Sequence, residues 1–313
     1  MRCFLRTGRA SVALCEINAD VRSAVKQRYG LDQVYYDLGE AVNDRYDAAV
    51  ICTPANLHVP MALQLAGARI PLLIEKPLST NMDGVERLVS LVDEHRLVAA
   101  VAYVSRADPA LTDMRTAIHS GRFGRPVQLV AVSGQHFPLY RPAYREIYYA
   151  DRATGGGAIQ DALTHLINSG QWLVGPITQL AADADHLVLE GVEVEDTVNV
   201  IARHVSILAT YSLNQHQSLS ESTITVICEQ GTVRLEMHRT RWLSVQQVGG
   251  DWQLESQFDI ERDDLFVHQA NNFLDTMEGR SVAACSLNEG LQTLRVNLAV
   301  LAAAETRTWQ SIG

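Results

Sequence analysis

The segment from Ala48 to Ser79 constrains the fold more than any other part of this sequence. It opens with an apolar run that ends at Cys52, and β-branched residues without polar alternation are typical of a strand buried on both faces. Apolar residues at helical spacing follow from His58 to Gly67, and Pro60 suits the first turn of that helix because its missing N–H is not needed there. A second apolar run ends at Ile74. Strand, helix and strand in this order predict a parallel crossover unit.

Polar residues and prolines follow both of these predicted strands. Thr53 and Pro54 come directly after the first strand, and Glu75, Lys76 and Pro77 come directly after the second. Open parallel sheets bind their ligands at the carboxyl ends of the strands. The sequence therefore predicts a ligand site near Lys76.

Composition limits the possible partners of the chain. Its 313 residues carry a formal net charge of -10, which argues against nucleic acid and anionic membrane as partners. No uninterrupted apolar segment is long enough to predict a transmembrane helix. The five cysteines are scattered without a C-x-x-C pair, which predicts reduced thiols in the cytoplasm and no metal site. Cys15 and Cys52 lie in apolar runs and are expected to be small buried hydrophobes.

A second informative stretch runs from Gly155 to His165. Three consecutive glycines precede a predicted helix, and glycines at a helix start allow a ligand to approach the backbone closely. Asp161 and His165 are four residues apart and are expected to share one face of that helix. An acid one turn from a histidine can fix the imidazole tautomer and hold its pKa near neutrality. From spacing alone, an ordinary pair on the helix surface and a proton-transfer pair both remain possible.

Together the two stretches resemble one family. Strand-T-P-x-x-x-H followed by strand-E-K-P, and then G-G-G-x-x-x-D-x-x-x-H, resemble the glucose–fructose oxidoreductase / inositol dehydrogenase (Gfo/Idh/MocA) family. The resemblance implies an NAD(P)-dependent oxidoreductase that transfers hydride between nicotinamide and a secondary alcohol of a sugar or cyclitol. An imine, an aldehyde or a nucleotide-linked sugar as substrate is a further possibility. The chain departs from the pattern at Asn168, where the family often has a second Asp, and this departure concerns the substrate more than the chemistry.

The resemblance also implies roles for individual residues. Lys76 would hydrogen-bond the reacting oxygen, His165 would act as the general base, and Asp161 would orient the substrate hydroxyl or His165. The Lys76–Pro77 peptide is expected to be cis and to aim the lysine inward. The nicotinamide half of the cofactor, expected to be NAD, would be lined by Thr53, Pro54, His58, Glu75 and Lys76.

The beginning of the sequence lacks a feature that a dinucleotide-binding fold requires. A first strand and a glycine-rich turn should precede the strand that ends at Glu16, but residues 1–10 hold one glycine and no strand of useful length. Without that first strand, the strands at Glu16 and Val50 are expected to have no shared neighbour. Two explanations remain open. Either the sequence begins at an internal Met of a longer protein, or the chain has lost cofactor binding and is a non-catalytic sugar-binding or regulatory protein.

Glu16 bears on the choice of cofactor. A carboxylate at the end of an early strand accepts hydrogen bonds from the adenosine ribose and repels a 2′-phosphate, so Glu16 favours NAD over NADP. An ordinary exposed carboxylate is the alternative interpretation.

The rest of the chain predicts a second domain. Tyr103-x-x-Arg106-x-x-Pro109 resembles the segment with which the family leaves its nucleotide domain. This places a Rossmann-like domain at residues 1–106 and a substrate-binding and oligomerisation domain at residues 107–313. Six segments between residues 180 and 248 alternate or carry β-branched residues as strands do. The predicted fold is therefore an N-terminally incomplete Rossmann domain followed by an α+β domain with a large open, mostly antiparallel sheet.

Residues 135–152 are rich in Tyr, Arg and Pro and have few core-like runs. Arg and Tyr offer donors to sugar hydroxyls or a carboxylate, so this segment is a candidate for substrate contact, although a solvent-exposed loop or a subunit contact explains it equally well. The candidate residues are Tyr140, Arg141, Tyr144 and Arg145. The family often forms dimers or tetramers through the free side of its large sheet, which implies a homodimer or homotetramer here.

Overall fold

The structure is a computed structural model that describes residues 1–313. Its helices are α1 (Arg2–Arg6), α2 (Ala19–Tyr29), α3 (Leu38–Asn43), α4 (His58–Gly67), α5 (Val85–His95), α6 (Pro109–His119), α7 (Phe137–Tyr140), α8 (Thr164–Val174), α9 (Arg262–Met277) and α10 (Leu287–Thr306). Its strands are β1 (Leu14–Cys15), β2 (Val34–Tyr35), β3 (Ala49–Ile51), β4 (Leu72–Glu75), β5 (Ala99–Ala102), β6 (Pro126–His136), β7 (Gln179–Asp185), β8 (Thr197–His204), β9 (Ile207–Asn214), β10 (His216–Cys228), β11 (Gly231–Glu236), β12 (Arg241–Val245), β13 (Gln253–Gln257) and β14 (Gln310–Ser311).

The crossover unit predicted from residues 48–79 is present. Strands β3, β4 and β5 form a parallel sheet in that order, with Val50 opposite Leu73 and Leu73 opposite Ala100. Helix α4 joins β3 to β4 and buries Val59 and Ala62 against the sheet. The carboxyl ends of β3 and β4 therefore lie at the same edge of the sheet.

Strands β1 and β2 form a separate parallel pair that does not join this sheet. The expectation that the strands at Glu16 and Val50 share no neighbour is confirmed. The prediction that the strand at Val50 is buried on both faces is wrong, because the Val50 side chain is 41% exposed. Cys15 and Cys52 are also exposed, which corrects the prediction that both are buried. The cause is the same in each case: Cys15 and Val50 lie on strands at an open sheet edge and Cys52 directly follows such a strand, so no further strand covers them.

The second domain contains a nine-stranded sheet in the order β13-β12-β11-β10-β6-β9-β8-β7-β14. The β6–β9 pair is parallel and the other pairs are antiparallel, which confirms the predicted large and mostly antiparallel sheet. Strand β8 alternates buried Val198 and Val200 with exposed Asn199 and Ile201. Helices α6, α8 and α10 cover the buried face and share its core, and the other face stays open.

The two C-terminal helices return to the first domain. Phe273 of α9 packs on Leu73 and Ala100 of the parallel sheet, and Leu291 of α10 joins the core beneath α4 and α5. Further along α10, Val296 belongs to the core of the second domain. A domain boundary at Arg106 stays a prediction, and these helices connect the regions on either side of it.

Arg106 lies between β5 and α6, and its side chain is 2% exposed. Its Nε donates to Oδ1 of Asn168 at 2.8 Å, and its guanidinium pairs with Glu289. Asn168 is fully buried and also donates to Oγ1 of Thr293 at 3.0 Å. At Asn168, where the chain departs from the family pattern, the amide oxygen therefore satisfies the buried charge of Arg106.

None of the helices combines the length and the apolar composition that a membrane span requires. No group of three or more His, Cys, Asp and Glu side chains is arranged to hold a metal ion.

Candidate active site

Lys76 follows β4, and its side chain reaches the second domain. Its Nζ donates to the Asp161 carbonyl oxygen at 2.6 Å and to Oδ1 of Asp161 at 3.0 Å. The Lys76 side chain is 15% exposed and that of Asp161 is 6% exposed. The Lys76–Pro77 peptide is cis, as predicted. Two segments that are 85 residues apart therefore meet at one ion pair.

Asp161 lies in a π-helical turn, Ile159–Leu163, that leads directly into α8. Such turns are rare and frequently occur at functional sites. The Asp161 carboxylate accepts from Lys76 and, at 2.7 Å, from the Tyr148 hydroxyl, and it makes no hydrogen bond with His165. The predicted role of Asp161 in orienting the substrate hydroxyl or His165 stays a prediction. The wider π turn places residues four apart at different angles around the helix, so the two side chains do not stack.

His165 makes no hydrogen bond with the protein, and its side chain is neither fully buried nor exposed. Its ring meets the Tyr103 ring edge-on, with centroids 5.9 Å apart. Burial lowers the pKa of His165 to about 3, and the nearby charge of Lys76 acts in the same direction. The expectation of a pKa near neutrality is wrong because the opposing effect of Asp161 is smaller than these two. At ordinary pH the imidazole is neutral and can accept a proton.

The other groups of this cluster have defined charge states. Burial alone would raise the pKa of Asp161, but the Lys76 charge and the hydrogen bonds from Tyr148 and Lys76 outweigh it and lower that pKa to about 2. Burial, followed by the Asp161 charge, raises the pKa of Tyr148. Asp161 is therefore an anion, and Tyr148 remains a protonated donor. The cluster joins an amine, a carboxylate and a phenol by hydrogen bonds, and the neutral imidazole lies on the helix that follows Asp161.

His58 takes a different position from the predicted one. Its ring is 1% exposed, with Nδ1 2.9 Å from the Pro77 carbonyl oxygen and Nε2 2.8 Å from the Thr53 carbonyl oxygen. Burial lowers the pKa of His58. Backbone encloses the ring that was expected to line the cofactor, so His58 ties the loop after β3 to the loop that carries Lys76.

The glycines before Asp161 approach protein rather than a ligand. Gly157 has φ +89, and a Cβ there would lie 2.4 Å from Oε1 of Glu195. A Cβ on Gly155 would lie 2.9 Å from Cβ of Ala55 and 3.9 Å from Cδ of Pro77. The absence of side chains in this turn lets the second domain pack closely against the loops after β3 and β4. The expectation that these glycines also let a ligand approach the backbone stays a prediction.

The predicted substrate residues divide into two pairs. The Tyr144 hydroxyl donates to the Glu190 carbonyl oxygen at 2.7 Å, and Nε of Arg145 donates to the same oxygen at 2.8 Å. Tyr140 and Arg141 remain exposed. Substrate contact by any of the four stays a prediction, but Tyr144 and Arg145 already hold two loops together. Tyr148 was missed because it stands among several tyrosines and no spacing distinguishes it.

The remaining cofactor residues lie at strand ends. Thr53 and Pro54 follow β3, and Glu75 ends β4, where burial raises its pKa and its carboxylate accepts from the Lys76 N–H at 3.2 Å. Glu16 directly follows β1, and its Oε1 accepts from the Asn18 N–H at 2.8 Å. These positions agree with the ends of strands at which an open parallel sheet binds its ligands.

The fit to a dinucleotide differs along the length of that molecule. The groups at the ends of β3 and β4 lie beside the amine of Lys76, and their contact with the nicotinamide stays a prediction. The residues ahead of β1 form α1 and a loop through Gly8, and they contain no glycine-rich turn. Within residues 1–313, the diphosphate therefore has no backbone cradle of the usual kind.

Comparison with known proteins gives consistent matches over both domains. Residues 4–103 match the model described as "Oxidoreductase family, NAD-binding Rossmann fold", and residues 111–234 match the "GFO/IDH/MocA C-terminal domain". An inositol 2-dehydrogenase of Rhizobium meliloti is 25% identical over 307 residues, which cover 95% of this chain and 90% of that protein. A D-xylose 1-dehydrogenase [NADP(+)] of Haloarcula marismortui is 27% identical over 63% of this chain and 55% of its own length.

Solved structures share the whole architecture. A levoglucosan dehydrogenase in complex with NADH and levoglucosan has a TM-score of 0.87 at 19% identity, covering 97% of this chain and 90% of that chain. The WlbA dehydrogenase from Bordetella pertussis, in complex with NADH and UDP-GlcNAcA, has a TM-score of 0.83 at 23% identity, covering 100% of this chain and 93% of that chain. At these identities the likeness establishes the fold.

Proposed function

Because the chain belongs to the GFO/IDH/MocA oxidoreductase family, we propose that it transfers hydride between nicotinamide and a secondary alcohol of a sugar or cyclitol. One observation carries this proposal. The amine of Lys76 pairs with the buried carboxylate of Asp161, and the neutral imidazole of His165 lies on α8, which begins directly after the turn that holds Asp161. The names of the inositol 2-dehydrogenase relative and the levoglucosan dehydrogenase neighbour support the substrate class.

The protein residues would handle the proton and the charge. The unprotonated ring nitrogen of His165 accepts the hydroxyl proton of the alcohol. Lys76 has three N–H groups, two of which point at Asp161, so one remains to donate to the substrate oxygen as negative charge develops there. Asp161 fixes the position of the ammonium group and balances its charge. Bound NAD supplies the hydride acceptor in this scheme.

The cofactor would be held mainly at its two ends. Thr53, Pro54 and Glu75 would line the nicotinamide, and Glu16 would accept from the adenosine ribose, which favours NAD over NADP. A non-catalytic sugar-binding or regulatory protein is the second candidate.

A titration of NADH separates these two candidates. The nicotinamide fluorescence of NADH should change on addition of the protein. In a separate assay with NAD in place of NADH, the protein should catalyse the reduction of NAD by at least one member of a polyol and sugar panel that includes myo-inositol and D-xylose. Binding of a polyol, measured by calorimetry, without any binding of NADH would support the second candidate and contradict the dehydrogenase.

Location and assembly are also proposals. The acidic composition and the scattered cysteines favour the cytoplasm. The open face of the large sheet carries Ile201 and Leu208, which are 50% and 52% exposed, and it would form the interface of a homodimer or homotetramer. Light scattering on the purified protein measures the number of subunits, and a monomer would contradict this interface.

Replacement of Tyr148 by phenylalanine should lower kcat by about tenfold to a hundredfold, because a hydrogen bond to a charged group contributes about 1.5–3 kcal/mol. Without the phenol, Asp161 loses one of its two side-chain donors and holds Lys76 less firmly. Steady-state oxidation of the best substrate, followed by NADH absorbance, measures this effect. The matched control is Tyr149→Phe, because the buried Tyr149 hydroxyl has no hydrogen-bond partner. Equal kinetics in the two variants would contradict a role for Tyr148.

A further inference from the structure

The imidazole of His165 has no hydrogen bond that fixes its orientation. The buried histidines of the chain, in contrast, are held at both ring nitrogens. In His204, Nδ1 lies 2.6 Å from the Gly175 carbonyl oxygen and Nε2 lies 2.7 Å from the Tyr211 hydroxyl. The aromatic ring that pairs with His165 is that of Tyr103, at an interplanar angle of 84°. A T-shaped pair of this kind contributes about 0.5–1.5 kcal/mol and favours one relative orientation of the two rings.

Tyr103 follows β5 directly and is itself anchored. It is 1% exposed, and its hydroxyl lies 2.9 Å from Oγ1 of Thr164, the residue before His165. On α10, Asn297 donates from Nδ2 to the same Oγ1 at 2.8 Å. Thr164 and Asn297 are as fully buried as Tyr103. One chain of buried hydrogen bonds therefore joins the end of β5 to the first residue of α8 and to α10.

The amide at the end of this chain is not explained by stability. The Oδ1 atom of Asn297 is buried and accepts no hydrogen bond. A buried polar atom without a partner costs about 1–3 kcal/mol, and an apolar side chain of similar size would avoid this loss. Asn297 therefore supplies its donor to Thr164 although the protein loses stability by it, which is typical of residues that serve a functional site.

We infer that Tyr103 is a positioning residue for His165, and that Thr164 and Asn297 hold the Tyr103 ring in place. This inference rests on the proposed function, in which His165 accepts the hydroxyl proton of the alcohol. Because the Tyr103 hydroxyl is bound to the residue that precedes His165, the two rings keep a fixed relation to one another. The unprotonated nitrogen then faces the alcohol in one direction, and a misplacement of about 1 Å in such an alignment can lower a rate by about 10²-fold.

Kinetics on variants of this chain test the inference. Tyr103→Leu should lower kcat for alcohol oxidation by about tenfold to a hundredfold and should change KM by less than about threefold, because the buried Tyr103 side chain does not contact substrate. Asn297→Leu should lower kcat by about twofold to tenfold while it raises the unfolding midpoint, since the unpaired amide oxygen is removed.

Tyr211→Leu is the matched control for Tyr103→Leu. It also removes a fully buried ring whose hydroxyl is bound to a side chain, so it should lower the unfolding midpoint, but kcat should stay unchanged. Equal kcat values in Tyr103→Leu and Tyr211→Leu would overturn the role of Tyr103.

Imidazole resonances report on His165 without any turnover. Labelling with ¹³C-histidine gives signals from only ten histidines, and the signal missing from His165→Asn identifies His165. That signal should move in Tyr103→Leu and also in Asn297→Leu, although Asn297 donates to Thr164 rather than to His165. It should stay in place in Tyr211→Leu. A His165 signal that does not move in Asn297→Leu would overturn the transmission through Thr164.

The two measurements separate this inference from the proposed function. Turnover that is the same in the wild type and in all variants, with an unmoved His165 signal, would leave the dehydrogenase standing and overturn the inference. A signal that moves in Tyr103→Leu and Asn297→Leu, in a protein that reduces NAD with none of the substrates, would leave the positioning of His165 standing and remove the dehydrogenase.

Discussion

Replacement of Lys76 by methionine should lower kcat by about 10²–10³-fold, the usual effect of removing one donor from a developing oxyanion. Methionine keeps the length and apolar stem of lysine but cannot donate to the substrate oxygen. Oxidation of the best substrate by NAD, followed as NADH absorbance at saturating substrate, measures the change. Lys26 is the other lysine of the chain and is exposed on α2, so Lys26→Met is a matched control. Activity of Lys76→Met within a few-fold of the wild type would remove Lys76 from the mechanism.

A loss of stability could imitate this result, because methionine leaves the Asp161 carboxylate buried without its cation. The double variant Lys76→Met with Asp161→Asn removes both charges and should recover the unfolding midpoint. It should not recover kcat, since the missing donor is still missing. Recovery of both properties together would show that Lys76 acts through stability.

The chain contains only two lysines, so the side chain of Lys76 can be observed individually by NMR. Reductive methylation with ¹³C-formaldehyde labels Lys26, Lys76 and the amino terminus, so few resonances need assignment. The resonance missing from Lys76→Met should shift when substrate is added, and that of Lys26 should not. A Lys76 resonance insensitive to every bound ligand would contradict a position beside the substrate.

Local patterns explain why much of the fold was predictable. The crossover around α4 follows from apolar runs and from proline and glycine at their ends, all within some thirty residues of sequence. The Asn18 cap of α2 and the capping box of Ser286 and Glu289 are likewise local signals that the structure contains. Each of these signals depends only on residues that are close together in the sequence, so it can be recognised from the sequence alone.

The details of the site depend on distant contacts and were less accessible. The partner of Asp161 is Lys76, 85 residues away, and the π turn that separates Asp161 from His165 has no marker in the sequence. The ring of His58 bridges two carbonyl oxygens, which no motif reveals. The exposure of Cys52 depends on what lies beside β3 in space rather than on its apolar neighbours in the chain. Motifs singled out Lys76, Asp161 and His165, and three-dimensional packing decided which of their atoms form pairs.

His165→Asn should lower kcat for alcohol oxidation by about 10²–10⁴-fold, because the variant has no group that accepts the hydroxyl proton. The fold should persist, since the imidazole makes no hydrogen bond with the protein. His268→Asn, on an exposed position of α9, is the matched control and should keep full activity. Turnover of His165→Asn equal to that of the control would assign proton transfer to another group.

The pH dependence gives His165 a signature that a purely structural residue lacks. Its pKa in the folded protein is lowered to about 3 by burial and then by Lys76, so the wild type should show no acid limb near pH 6.5 in kcat/KM. In the unfolded chain the imidazole titrates near its ordinary pKa of about 6.5 and binds more protons than the folded state between pH 3 and 6.5. The free energy of unfolding should therefore rise with pH across this window, and this part of the slope should vanish in His165→Asn. Urea unfolding at pH 4.5 and pH 7 measures both slopes. An acid limb near pH 6.5 that disappears in the variant would show instead that His165 has the pKa of an ordinary histidine. The surroundings of His165 would then not be what keeps its imidazole neutral.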